Sequence, residues 1–378
     1  MLITLLSIVI IPPIAAGTQA QPRTPSRFSM PQLTAGTRWR IERVESDRVG
    51  NPNSLALDGD GWPHISYYDH ETKDLKYARK DGSGWHIETV DPYGEVGEYN
   101  SLALDAGDEP HIAYYDRLQG NLKYAYHDAG GWHFEIADGE FADVGQYCSL
   151  ALDEHGQPHI SYYDVDNGNL KYAYKDAGGT PHISTVDSAA ADVGRYTSLA
   201  LGWGHRYISY FDNTNKDLKY AHYDGATWSV ETLDADGDVG YYSSLDLCRT
   251  YEPGAPRIIY WADGQLKYAH KYFFGGWGFA ALNQEAPAGI SHALSDTCQP
   301  RISYFELYGG DLRYTYQGLY GWESETVDAE GDSWPYGSSL ALDAAGRPHI
   351  SYYDDSHFGL SYAYQVYVAY LPNAQRHP

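Results

Sequence analysis

The chain has 378 residues, with 26 lysines and arginines against 51 aspartates and glutamates, and its formal net charge at pH 7 is −25. This charge excludes nucleic acids and anionic membrane surfaces as partners, because binding to them depends largely on basic side chains that contact phosphate groups. Cations and neutral ligands such as sugars remain compatible with it.

The first twenty residues have the pattern of a signal peptide. The apolar run from Leu2 to Ile11 is well short of the ~20 residues that a membrane-spanning helix needs. Thr18-Gln19-Ala20 offers a small-x-small cleavage site before Gln21. We therefore expect a signal peptide over residues 1–20, a flexible segment over residues 21–36, and a secreted monomer without membrane insertion.

From residue 54 onward the chain consists of copies of one repeat of about 47 residues. The fullest form reads Ser-Leu-Ala-Leu-Asp, Pro-His-Ile-Ser-Tyr-Tyr-Asp, Leu-Lys-Tyr-Ala-Tyr and Trp-His-Ile-Glu-Thr-Val, with Gly, Asp and Asn in the gaps. Each run is short and rich in β-branched and aromatic residues, which predicts four strands per repeat. The copies begin at Ser54, Ser101, Ser149, Ser198, Ser244, Ser291 and Ser339.

Four short antiparallel strands in each repeat of this length are typical of one propeller blade. The sequence therefore predicts an all-β fold, a seven-bladed β-propeller of four-stranded antiparallel blades over residues 37–365, followed by a C-terminal tail over residues 366–378. The seventh repeat lacks a fourth strand, whereas an unpaired copy of that strand, Trp39–Val44, precedes the first repeat. We expect this N-terminal strand to complete the last blade and close the ring, which removes an open sheet edge.

The loops between repeats and the loops between second and third strands share one end of a propeller, here called the top; the other turns lie at the bottom. Four inter-repeat loops carry an acid followed by Val-Gly-x-Tyr. Carboxylates accept hydrogen bonds from sugar hydroxyls, and tyrosine rings pack on sugar faces. We expect repeated ligand sites formed by Glu95, Asp143, Asp192 and Asp238 with Tyr99, Tyr147, Tyr196 and Tyr242. In the loop before the seventh repeat the pattern changes, and Trp334 and Tyr336 are candidates for an asymmetric site.

Other recurring residues are expected to serve the fold. Second strands end in an acid such as Asp69 and third strands begin with a base such as Lys76, which predicts pairing across the loop between them and capping of the turns. Histidines such as His64 follow the proline of the second strand, and we expect them to have a packing and turn role rather than to bind metal.

The remaining chemistry concerns cations and cysteines. Asp234, Asp236 and Asp238 alternate as in a calcium loop, so calcium is a candidate ligand, although the Gly and Glu of an EF-hand are missing. We predict no other cofactor and no catalytic residue. Cys248 and Cys298 fall in the same loop of consecutive repeats and are candidates for a disulfide between adjacent blades. Cys148 is expected to be a free structural thiol.

Two further patterns resemble known families. The Ser-Tyr-Tyr-Asp and Leu-Lys-Tyr-Ala repeats look like those of secreted bacterial propeller proteins, over about Trp39 to Gln365. The turns Asp81-Gly82-Ser83-Gly84-Trp85 and Asp224-Gly225-Ala226-Thr227-Trp228 are similar to the Asp-box turns of sialidases and related lectins. In those families the box is a folding element away from the site, so the resemblance implies a propeller fold and an extracellular location.

Three functions are compatible with these features. The first is lectin-like carbohydrate binding through the repeated loops at the top, and the second is a propeller that binds extracellular proteins as a scaffold. The third is a glycoside hydrolase or lyase that uses the irregular blades six, seven and one. A flat apolar patch would favour the second function, and a deep axial pocket with two unequally titrating carboxylates would favour the third.

Overall fold

The computed structural model describes residues 34–370, apart from 141, 189–191, 251–253, 273, 286, 308, 319–320 and 330–336. Residues Thr37–Val366 form one compact unit. Blades 1 to 6 and the sites discussed below lie in this unit. The expected signal peptide and most of the expected flexible segment fall outside the described residues.

The described residues form twenty-eight strands, four to each of seven sheets. Blade 1 contains β2 (Val49–Leu57), β3 (Pro63–Asp69), β4 (Leu75–Asp81) and β5 (Gly84–Asp91). Blade 2 contains β6 (Val96–Leu104), β7 (Pro110–Asp116), β8 (Asn121–Asp128) and β9 (Gly131–Asp138). Blade 3 contains β10 (Val144–Leu152), β11 (Pro158–Asp164), β12 (Asn169–Lys175) and β13 (Pro181–Asp187).

The remaining blades follow the same order. Blade 4 contains β14 (Val193–Gly202), β15 (His205–Asp212), β16 (Asp217–Tyr223) and β17 (Trp228–Asp234). Blade 5 contains β18 (Val239–Cys248), β19 (Ala255–Ala262), β20 (Gln265–Lys271) and β21 (Trp277–Glu285). Blade 6 contains β22 (Pro287–Leu294), β23 (Pro300–Glu306), β24 (Leu312–Gly318) and β25 (Gly321–Asp328). Blade 7 contains β26 (Ser338–Leu342), β27 (Pro348–Asp354), β28 (Gly359–Tyr370) and β1 (Thr34–Glu45).

The predicted fold class is confirmed. Each sheet is antiparallel and runs from its first to its fourth strand, and blade 7 takes β1 as its fourth strand, in the order β1-β28-β27-β26. The first strands of neighbouring blades contact each other all the way round, including β26 with β2, so they surround the axis of the ring. The propeller strand β28 extends to Tyr370, five residues beyond the predicted end of the domain.

The hydrophobic core lies between the blades. Second strands such as β3, β7 and β11 are buried at every residue, because both of their faces pack on neighbouring blades. One cluster joins Ile65 and Tyr67 of blade 1 to Leu360 and Tyr362 of blade 7. Apolar side chains on both faces of a strand are therefore what this architecture requires.

A closed ring of hydrogen bonds explains the serine that begins every repeat. Each serine hydroxyl accepts a hydrogen bond of 2.9–3.2 Å from a backbone N–H of the next blade. The seventh bond, from Leu55 N–H to Ser339 Oγ, joins the last blade to the first. The donors in chain order are Leu55, Leu102, Leu150, Leu199, Leu245, His292 and Leu340.

A second set of contacts joins adjacent blades. These contacts show that the expected pairing of second-strand acids with third-strand bases is wrong for most blades. The bases that begin third strands bind mainly the acid that ends the fourth strand of the preceding blade, rather than the acid of their own second strand. Asp91, for example, accepts hydrogen bonds from Lys123 and from Tyr114 Oη, the latter at 2.7 Å. The second-strand acids cap their turns as expected: Asp69 accepts hydrogen bonds from the N–H groups of Glu71 and Thr72.

The histidines and cysteines have structural surroundings. His64 Nδ1 lies within hydrogen-bonding distance of Tyr77 Oη, and its Nε2 is 3.5 Å from the turn residue Asp58, an arrangement that fits the expected packing and turn role. Cys148 is a buried free thiol. A disulfide joins Cys248 at the end of β18 to Cys298 in the turn before β23, which links blades 5 and 6.

No helix among the described residues is long and apolar enough to cross a membrane.

Candidate ligand-binding site

The four tyrosines of the Val-Gly-x-Tyr pattern lie inside the first strands of blades 2 to 5, and the expected position on the inter-repeat loops is wrong. Tyr99 is the fourth residue of β6, and the other three occupy the same position in β10, β14 and β18. In each case the pairing with the second strand gains an extra residue at this point, as between Glu98 and Ser101. Each tyrosine therefore belongs to a β-bulge, which turns a side chain out of the sheet.

The backbone at these bulges is left-handed, with φ between 52° and 53° at Tyr99, Tyr147, Tyr196 and Tyr242. This conformation is unfavourable for a bulky residue and persists only where the surrounding structure enforces it. The glycine two residues earlier is also required. A Cβ atom on Gly97 would lie 2.9 Å from the Leu75 Cα of blade 1. The Gly-x-Tyr pattern is therefore the sequence signal of a bulge at a blade boundary.

The four rings form a continuous row, here called the tyrosine arc (Tyr99, Tyr147, Tyr196 and Tyr242). Neighbouring ring centroids are 4.6, 4.7 and 4.9 Å apart. Because the rings project from bulges in the innermost strands and contact each other across three blade boundaries, the arc lines one side of the axial channel near the top.

The other three blades have no tyrosine at the bulge position. In six of the seven blades the carbonyl at the bulge position accepts a hydrogen bond from a side chain of the next blade, as Tyr147 O does from Thr197 Oγ1 at 2.9 Å. The same hydrogen bond shows that the residues equivalent to these tyrosines are Pro52 in blade 1, Gly289 in blade 6 and Gly337 in blade 7. At this position blades 2 to 5 therefore carry an aromatic ring, whereas blades 1, 6 and 7 carry Pro52, Gly289 and Gly337.

Three phenol groups of the arc, those of Tyr99, Tyr196 and Tyr242, have a raised pKa. Burial, and then the neighbouring Tyr147, raises the pKa of Tyr99 and of Tyr196 above the ordinary value of 10.0. Burial also raises the pKa of Tyr242. All four side chains remain half-buried rather than fully enclosed. Each of these three hydroxyls can therefore both donate and accept a hydrogen bond at neutral pH.

Polar side chains stand beside the arc at the residue before each tyrosine, namely Glu98, Gln146, Arg195 and Tyr241. Arg195 bonds Asp192 at 2.7 Å and its guanidinium lies 5.3 Å from the ring centroid of Tyr163. Glu98 accepts a hydrogen bond of 3.1 Å from Arg117. The top mouth of the channel thus combines an aromatic surface with amide, guanidinium and carboxylate groups.

Three of the four predicted loop acids already bind side chains of the protein. Glu95 pairs with Lys73, Asp143 accepts a hydrogen bond of 2.7 Å from Tyr115 Oη, and Asp192 binds Tyr163 Oη at 2.8 Å. Asp238 differs because the corresponding residue of the second strand is Phe211, which has no hydroxyl. Asp238 Oδ1 is buried without a hydrogen-bond partner among the described residues.

The remaining predicted residues fall elsewhere. Asp234 ends the fourth strand of blade 4 and binds Tyr260 Oη at 2.8 Å and Lys267 at 3.0 Å, so its contacts lie at the boundary with blade 5. The part of the chain that the structure describes contains no group of three or more His, Cys, Asp or Glu residues arranged to hold a metal ion. Trp334 and Tyr336 lie outside the described residues.

Comparison with known proteins identifies relatives of the fold only. No protein-family model and no curated protein matches the sequence. The chain is similar to a catalytically inactive variant of virginiamycin B lyase from Staphylococcus aureus, crystallised with quinupristin, at 8% identity and TM-score 0.60 over 88% of this chain and 99% of that chain. It is also similar to the Aleuria aurantia lectin in complex with α-methyl-L-fucoside, at 13% identity and TM-score 0.52 over 78% of this chain and 100% of that chain.

A third similar structure is an ulvan lyase bound to a GlcA-Rha3S saccharide, at 13% identity and TM-score 0.53 over 85% of this chain and 95% of that chain. At these identities the similarity shows the shared propeller architecture and leaves function to be argued from the site.

Proposed function

We propose that this protein is an exported, lectin-like binding protein whose ligand, a neutral carbohydrate, lies at the top mouth of the axial channel against the tyrosine arc. The observation that carries the proposal is the unbroken row of four half-buried rings opposite Pro52, Gly289 and Gly337. This arrangement gives one aromatic wall that can pack on a ligand, while the three equivalent residues on the other side have no aromatic ring.

The chemistry of the arc suits a sugar. Tyrosine rings pack on the apolar face of a pyranose, and their hydroxyls, with Gln146 and Glu98 beside them, exchange hydrogen bonds with sugar hydroxyls. The net charge of −25 favours a neutral ligand over a polyanion. Two of the similar structures, the Aleuria lectin and the ulvan lyase, carry a bound saccharide, which supports testing sugars first.

Because the rings are so close together, we propose one extended site instead of the separate, equivalent sites that the sequence led us to expect. Centroids less than 5 Å apart cannot each stack on a different sugar ring at the same time. A ligand at the arc therefore contacts several tyrosines together, and affinity is expected to depend on the middle residues, Tyr147 and Tyr196.

The test is a glycan array with the chain beginning at Gln21, in calcium and again with a chelator, followed by titration of the sugars that bind. Tyr147→Ala should weaken binding by about tenfold or more, since truncation of a central aromatic contact has an effect of that size. Tyr93→Ala is the matched control, because this ring is 81% exposed in a loop at the same end and does not belong to the arc.

Equal affinity of wild type and Tyr147→Ala would contradict the proposed site. A blank array in both buffers would contradict carbohydrate binding and direct the search to extracellular protein partners. Loss of binding with the chelator would add calcium to the site. Export is tested separately, by N-terminal sequencing of protein recovered from the culture medium, with Gln21 as the expected first residue.

A further inference from the structure

Blade 4 departs from the repeat at its bottom turn, between its first and second strands. In blades 1, 2, 3 and 7 this turn is capped by an aspartate, as Asp153 does by accepting hydrogen bonds from the N–H groups of His155 and Gln157. In blade 4 the residue at this position is Gly202, which pairs with His205 so that only Trp203 and Gly204 connect the strands. The turn has lost its carboxylate.

Trp203 occupies an unfavourable backbone conformation in this turn. Its φ is 55° and that of Gly204 is 77°, which are the values of a two-residue turn that normally carries Asn, Asp or Gly. The indole side chain is nevertheless 57% exposed. One edge of the ring lies beside Gly254 of blade 5, where an added Cβ would be 3.2 Å from Trp203 Cε3. A strained residue that exposes a large ring to solvent is a feature more typical of a binding site than of a turn.

Arg206 is the second departure, because the other six blades have proline at this position. The guanidinium is held between two rings, 4.5 Å from the centroid of Tyr174 in blade 3 and 4.4 Å from that of Tyr223 in blade 4. Among the residues that the structure describes, no carboxylate pairs with Arg206. Its N–H donors are therefore fixed in orientation by stacking, and no hydrogen bond within the described part of the chain uses them.

These residues line a cavity of about 500 Å³ between blades 3 and 4. His159 and His205 lie on its wall with Trp203 and Arg206. Burial, and second the charge of Arg206, lowers the pKa of His159 to about 4, so this histidine is neutral at physiological pH. Arg206 therefore supplies the positive charge of the cavity.

Two acids also line the cavity, but neither neutralises Arg206. Asp153 is occupied by its own turn and lies 3.6 Å from His159 Nε2. The side chain of Glu154 is 87% exposed. The charge of the whole molecule opposes a polyanion, whereas a single carboxylate responds mainly to charges within the Debye length of ~8 Å.

We propose that this cavity is a second ligand site, at the end of the propeller opposite the tyrosine arc, and that it binds a carboxylate-bearing sugar of the hexuronate class. The carboxylate lies on the guanidinium of Arg206, whose planar fork matches its geometry. The sugar face packs on the exposed ring of Trp203. The proposal is independent of the function assigned to the arc.

The experiment titrates the protein with the methyl glycosides of glucuronic and galacturonic acid, and with the neutral glucoside and galactoside, by NMR saturation transfer. Wild type should bind the uronates at least tenfold more tightly than the neutral sugars, as expected for a charge-assisted contact. Arg206→Gln should abolish this preference, and Arg206→Lys should keep part of it. Trp203→Asn should weaken binding of the uronates about tenfold. The variant protein should melt at the same or a higher temperature than wild type, because asparagine favours the backbone conformation of this turn.

Two controls separate this site from other contributions. Arg79→Gln removes an exposed charge at the same end of blade 1 and should bind like wild type, and so should Tyr147→Ala, which alters only the arc. The proposal is overturned if wild type does not distinguish uronates from neutral sugars, if Arg206→Gln and Trp203→Asn bind uronates normally, or if Tyr147→Ala abolishes uronate binding.

Discussion

His292, in the first strand of blade 6, is a polar residue at a position that is apolar in the other blades. The other six first strands carry leucine there. His292 is buried; its Nδ1 lies 2.9 Å from Ser244 Oγ, and its Nε2 has no hydrogen-bond partner within the described part of the chain. Burial lowers the pKa of this histidine from 6.5 to about 3. The folded protein therefore holds His292 neutral over a pH range in which the unfolded chain is protonated.

This difference predicts a loss of stability in acid. Below pH 6.5 His292 is protonated in the unfolded state, whereas in the folded state it stays neutral down to about pH 3. Between these values the free energy of unfolding therefore falls by about 1.4 kcal/mol for each unit that the pH is lowered. From pH 7 to pH 5 the contribution of His292 is a loss of about 2 kcal/mol.

His292→Leu should remove this contribution, as measured by urea unfolding at pH 7, 6 and 5. His292→Gln is the control, because glutamine cannot titrate and should also remove the slope, without the apolar gain of leucine. Identical pH profiles for wild type and both variants would show that the histidine is not held neutral in the folded state.

At the scale of the element, the contact between adjacent blades is a carboxylate held by a tyrosine and a lysine. Asp91 is 2% exposed and binds Tyr114 and Lys123 of the next blade. Asp91→Ala leaves a largely buried lysine without its partner, and we expect the free energy of unfolding to fall by about 3 kcal/mol. Chemical denaturation measures this loss.

Glu95→Ala is the comparison for Asp91→Ala, since Glu95 makes an exposed ion pair with Lys73 only four residues further along the chain. It should have no measurable effect on stability. Similar losses for the two variants would mean that the contact made by Asp91 does not hold the blades together.

The sequence predicted the elements better than their contacts. The length of the apolar runs and the turn residues between them were sufficient to predict the four strands of each blade and their order. They also predicted that Trp39–Val44 supplies the fourth strand of blade 7. The partner of Lys123 was predicted wrongly because the acids that end second strands and those that end fourth strands both recur from copy to copy. The pattern therefore cannot distinguish a partner within the repeat from one in the neighbouring repeat. The true partner, Asp91, lies 32 residues away in the preceding blade.

The position of the tyrosines was missed for a different reason. Glycine marks a loop and a β-bulge equally well, so Val-Gly-x-Tyr was interpreted as a loop. The candidate residues of the arc were identified by type, but their assembly into one surface depends on the curvature of the ring, which brings Tyr99 and Tyr147 to 4.6 Å although a whole repeat separates them.

At the scale of the whole molecule, β1 determines whether the ring is closed. Glu42 of this strand binds Lys80 and Trp85 of blade 1 and Tyr364 of blade 7, so it ties the two ends of the ring together. A chain that begins at Ser46 lacks β1 and exposes the edge of β28. We expect this chain to melt well below one that begins at Thr37, as measured by calorimetry.

A synthetic peptide of residues 37–45 should restore the melting temperature of the shortened chain in a concentration-dependent manner, since it binds only the folded ring. Equal melting temperatures for the two chains would show that closure by β1 contributes nothing to stability.

Closure by the N-terminal strand also determines when, during synthesis of the chain, the ring can close. The contact between Glu42 and Tyr364 spans 322 residues, so β1 leaves the ribosome first and must wait for nearly the whole chain before its partner exists. During that interval an unpaired strand is available for pairing with other chains. The ring therefore cannot close before β28 has been synthesised, and we expect factors that hold the nascent chain extended to favour the correct ring over aggregation.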